Sequence, residues 1–115
     1  MGAVARMMTA HGLLFLGKTR PLVTTAADGT FAVTLLAVDR LGPHQVEPWR
    51  ITWSGPDAAQ FWQERASAMQ PGQPLAVELE RIRTFTNGRN APEFHAAVRA
   101  LDLAPVARRS VAPGA

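Results

Sequence analysis

The sequence predicts an all-β domain, a five-stranded Greek-key barrel with one short helix between strands 3 and 4. Three observations lead there. Residues 46–85 read as strand, turn, short helix, turn, strand. Two apolar segments, 9–17 and 31–38, come before it, and Asp28-Gly29 between them is a hairpin signal. After it, Asn87-Gly88 marks a tight turn and residues 93–103 alternate apolar with polar.

Residues 1–8 read as a disordered leader. Residues 9–17 are apolar on both sides, which suits a central strand or an oligomer contact. Gly17 allows a sharp bend. Lys18-Thr19-Arg20-Pro21 places two cations beside that bend, and Leu22–Thr25 resumes extended structure. Phe31–Val38 is the next strand, and residues 41–44 form a loop. From Pro48 onward Trp49, Ile51 and Trp53 alternate with Arg50, Thr52 and Ser54. Gly55-Pro56 ends that strand. Asp57 is placed to cap a helix starting at Ala58, Phe61 and Trp62 are its apolar side, and Pro71-Gly72 stops it. Trp62 is expected to cover one end of the barrel core.

The fourth strand carries a break in its repeat. Leu75, Val77 and Leu79 are odd-numbered, but the next apolar residue is Ile82. A strict two-residue period cannot hold Leu79 and Ile82 on one face. One extra residue near Glu80-Arg81, a β-bulge, repairs it. Leu75, Val77, Leu79, Ile82 and Thr84 then face inward, and Arg81, Arg83 and Phe85 lie together outside. In the last strand Phe94, Ala96, Val98 and Ala100 alternate with His95, Ala97 and Arg99. The expected domain spans 9–104, followed by a flexible basic tail over 105–115. This strand and helix order is that of the OB-fold, whose face and loops commonly take oligonucleotides.

Composition narrows the function. A chain of 115 residues makes one small domain. With no cysteine, disulfides and thiolate metal sites are impossible, which fits a reducing cytoplasm. No apolar run reaches the roughly 20 residues of a membrane span. His11, His44 and His95 are scattered, Ser54 lies outside any nucleophile elbow, and no Gly-rich phosphate loop occurs. Glu78 and Glu80 read as solvated. No catalysis, metal or cofactor is expected. The net charge is only +3, yet 11 of the 12 cations are Arg, a composition that a GC-rich genome also favours. Arg81, 83, 89, 99, 108 and 109 face only Glu93 and Asp102 in the same stretch, so one half of the chain is basic and suits a polyanion.

Holding a single strand needs cations along its backbone and flat side chains under its bases. The candidate stackers are Trp49, Trp53, Phe85 and Phe31. Arg81 and Arg83 flank Phe85 as the leading phosphate contacts. Lys18, Arg20, Arg50, Arg89 and Arg99 form a second rank, and Arg108-Arg109 adds loose attraction. Trp49 and Trp53 share a face, so either they meet the ligand or Arg50, Thr52 and Ser54 do.

The order of these pieces resembles the bacterial single-stranded DNA-binding protein family. The matching pieces are His11–Gly17, Asp28–Leu35, Trp49–Gly55, Asp57–Phe61, Pro71-Gly72, Leu75–Glu78 and Arg81–Thr84, over roughly residues 8–104. The resemblance implies an exposed aromatic near Trp49, a homodimer or homotetramer, and single-stranded DNA bound in replication or recombination. Trp49 to Gly55 is one residue shorter than the family spacing, and Leu35, Leu36 and Val38 stand where a further Trp is common. The basic end lacks the acidic, apolar tip through which many members recruit enzymes, so the plan is closer to the primosomal replication protein PriB or to a plasmid or mobile-element member. Replication or primosome proteins are possible partners and no membrane is. RNA offers the same stacking and phosphate contacts, and no reader of its 2′-hydroxyl is visible. The alternatives are a PriB-like primosome accessory and a non-catalytic OB module that binds only protein.

Overall fold

The computed structural model describes residues 9–42, 45–86 and 92–105. The expected leader, the tail beyond Pro105, the Asn87-Gly88 turn and Arg89 lie outside them. The elements in chain order are β1 (Thr9–Leu16), β2 (Leu22–Thr25), β3 (Phe31–Gly42), β4 (Gln45–Ser54), α1 (Pro56–Arg65), β5 (Pro74–Phe85) and β6 (Glu93–Leu103). The sheet order is β1-β5-β6-β4-β3-β2, and a further β1–β3 pairing closes it into a barrel. All pairings are antiparallel except β4–β6. This is the OB-fold, with its first strand delivered in two pieces, β1 and β2.

The break between those pieces has a steric cause. The Gly17 N–H donates to the Leu36 carbonyl at 2.9 Å. A Cβ on Gly17 would lie 2.9 Å from that same oxygen. Only glycine lets the strand cross β3 so closely.

The barrel is filled mainly from alternate positions of its strands, except β2, which is exposed throughout. Val33, Leu35 and Ala37 of β3, Ile51 and Trp53 of β4, and Leu75, Val77 and Leu79 of β5 are all buried. Met69 and Ala58 close the end under the helix, and Trp62 packs there, half-buried, as expected. The helix differs from expectation at both ends. Gly55 is its N-cap, Pro56 sits in its first turn, and Asp57 makes no capping bond. Pro is preorganised for that first turn, and Asp57 still favours the positive end of the helix dipole. The helix stops at Arg65, and a 3-10 turn over Ala66–Ala68 follows before Pro71-Gly72.

Two further corrections concern the strands. The loop expected over 41–44 is shorter, because β3 runs to Gly42 and β4 begins at Gln45. Pro48 therefore lies within β4, opposite Val38, before the β4–β6 pairing begins at Trp49. Its missing N–H is tolerated where β4 is still an edge.

The bulge on β5 is where the broken repeat predicts it. Glu80 pairs with Ala97 and Arg83 with His95, so Arg81 and Ile82 together oppose Ala96. Arg81 takes φ 55°, among the described residues the single non-glycine in the left-handed region. Ile82 returns to the core and packs against it. Thr84, expected inside, is exposed, because it pairs with Phe94 at the open end of the barrel. A second bulge lies on β6: Glu78 pairs with Ala100 but Leu79 with Val98, leaving Arg99 as the extra residue.

Candidate nucleic-acid interface

The outward side chains of β4, β6 and β5 form one row. Arg50 is in register with His95, and His95 with Arg83. Two pairs further along, Glu93 stands opposite Phe85. The two outer β5 residues that follow the bulge, Arg83 and Phe85, thus meet Arg50 of β4 across the intervening β6. Arg50, Thr52 and Ser54 are exposed and their alternates Ile51 and Trp53 are buried, which settles the orientation of β4.

Phe85 is the exposed ring of the face. It is 55% exposed and stacks on His95, with centroids 4.8 Å apart and planes 29° from parallel. His95 contributes a second flat surface beneath it. Glu93 ties the cluster together. Its Oε1 lies 2.8 Å from His95 Nε2 and 3.4 Å from Arg50 Nε. These contacts, the His95 hydrogen bond first and then Arg50, hold the Glu93 carboxyl below its ordinary range. An ionised carboxylate only accepts, so Nε2 of His95 carries the proton in this arrangement.

A groove continues the face toward the bend after β1. Lys18, Thr19, Val38, Pro48, Arg50 and Glu93 line it. Arg20 lines the adjoining depression with Met69 and Gln70. At the far end of β3, Arg40 lies over the Phe15 ring, its Cζ 4.6 Å from the centroid.

The remaining expected site residues are Trp53, Trp49, Phe31, Arg81 and Arg99. Trp53 is 7% exposed and packs against Phe61 at 5.3 Å, so it belongs to the core. Trp49 is half-buried and stacks on Phe94 at 4.7 Å and 18°, which occupies one of its faces. Phe31 also packs against the core. Arg81 is exposed at its bulge. Arg99, on the second bulge, lies 3.8 Å from both Glu78 and Glu80, so those carboxylates are not simply solvated and Arg99 is set apart from the row. His95, Glu93 and Arg40 were not among the expected residues. The signal for His95 was available, since an outward Arg83 on a hairpin with β6 must face an outward β6 residue.

No family model matches the sequence, and no curated protein matches it. The fold is similar to several solved structures. The mitochondrial single-stranded DNA-binding protein of S. cerevisiae superposes with TM-score 0.64 at 12% identity, over 90% of this chain and 99% of that one. The small single-stranded DNA-binding protein of Streptomyces coelicolor gives 0.57 at 12%, over 85% and 94%. The SSB domain of a Synechococcus protein gives 0.59 at 14%, over 86% and 98%.

Proposed function

We propose that this chain binds single-stranded DNA, without catalysis, along the outer face of β4, β6 and β5 and the bend at 17–21. A base stacks on Phe85. Arg83, Arg50 and Lys18 meet phosphates, with Arg81 and Arg20 at the two ends of the track. The observation that carries this reading is the half-exposed Phe85 ring, set on His95 with Arg83 and Arg50 on the neighbouring strands. Cations beside a flat exposed ring are what sequence-tolerant single-strand binding needs. The likeness of the fold to three single-stranded DNA-binding proteins supports it. In the cell the protein would act as a homo-oligomer in replication or recombination, in the cytoplasm.

A second reading has one observation in its favour. Leu22 and Val46 are each 60% exposed on strands, which suits a module that binds protein. Anisotropy titration of labelled oligo-dT, with duplex DNA as control, across a salt series separates the two. Single-strand preference with a salt slope of about 0.7 per phosphate contacted supports the first. Weak binding, or equal binding of duplex, supports the second.

A further inference from the structure

Glu93 is an acidic side chain set among the cations and flat rings of this face. It is not a remote surface charge. One of its oxygens receives both His95 Nε2 and Arg50 Nε, and the carboxylate lines the groove that also holds Lys18. An oxyanion held by a guanidinium and an imidazole N–H is what a nucleic-acid phosphate would present at the same place.

We infer that Glu93 occupies, in the free protein, the position a backbone phosphate takes in the complex, so that the chain competes with its own ligand for Arg50 and His95. This rests on the proposed single-strand binding and adds a regulatory element to it. The carboxylate keeps Arg50 neutralised, and both Arg50 and His95 ordered, when no strand is bound. A strand entering from Phe85 and Arg83 must displace Glu93 before the track continues to Lys18. The half-exposed carboxylate has room to swing into solvent, because its side chain is 35% exposed. Glu93 therefore lowers affinity and shortens the effective footprint, which suits a protein that must let go of its strand.

The test is a double-mutant cycle on oligo-dT binding. Glu93→Gln keeps the shape and removes the charge. It should tighten binding about 5- to 10-fold near 0.1 M salt and steepen the salt slope by up to ~0.7, because no carboxylate beside the track then offsets the phosphate charge that Arg50 neutralises. Arg50→Gln should weaken binding in the wild-type background, since Arg50 meets a phosphate, but by less than in the Glu93→Gln background, where no carboxylate is given up in exchange. In the Glu93→Gln background the same change should cost most of the gain. Wild-type binding that Glu93→Gln leaves unchanged in affinity and slope, or an equal cost of Arg50→Gln in both backgrounds, overturns the inference and leaves the function standing. No binding by either protein at low salt removes both.

Discussion

Phe85 and His95 stack across the β5–β6 pairing at 4.8 Å, as diagonal neighbours two residues out of direct register. Phe85 shares the outer face with His95 because the bulge at Arg81 shifts β5 by one residue against β6. Without it Phe85 would sit on the other face. The most exposed ring of the candidate interface is thus placed by a backbone irregularity four residues away.

Phe85→Ala should weaken oligo-dT binding by roughly 1–3 kcal/mol, the worth of one base stack. The melting temperature should hardly move, because the ring is largely exposed. Phe85→Trp should restore affinity. Anisotropy titration and thermal melts on the three proteins check this.

Trp53→Ala should behave in the opposite way. Its ring fills the core beside Phe61, and removing it should cost about 3–5 kcal/mol of stability. A urea titration measures the loss. Titrating wild type with oligo-dT should quench tryptophan emission only slightly, because Trp53 is buried and Trp49 and Trp62 pack against the core.

Arg81→Gly should separate stability from affinity. Arg81 holds φ 55°, a region costing a side chain about 1–2 kcal/mol, and glycine relieves that at some expense in unfolded-chain entropy. The expected result is a melting temperature equal to or above wild type, with weaker DNA binding from the lost cation. Arg81→Val, branched at Cβ, should destabilise.

Gly17→Ala should destabilise by roughly 1–3 kcal/mol, since the new Cβ meets the Leu36 carbonyl, a backbone atom that cannot step aside. Denaturant unfolding should show the midpoint falling with an unchanged slope.

Acid should release Glu93. Its carboxyl titrates below its ordinary 4.5, so its contribution to stability is complete above that value and is lost as pH falls through the depressed one. The melting temperatures of wild type and Glu93→Gln should differ most above pH 4.5 and converge in stronger acid.

Much of the barrel was legible because a strand repeats every two residues. The jump from Leu79 to Ile82 announced the β5 bulge. The same jump from Val98 to Leu101 announced the one on β6, but Ala100 is small enough to pass for a core residue and hides it. Trp49, Ile51 and Trp53 were legible as one face and not as the inner one, since an aromatic row suits a core and a base-stacking surface equally. The contact of Glu93 with Arg50 was not legible at all. It joins residues 43 apart in sequence, through the parallel pairing of β4 with β6.

By itself the sequence determined the elements, their order and the alternation along most strands, because periodicity, turn residues and glycine placement are local properties of the chain. Only the tertiary structure decided which parity faces the core and which side chains from separate strands meet. Barrel closure brings β6 between β4 and β5. That one placement buries Trp53, sets His95 under Phe85 and puts Glu93 within reach of Arg50.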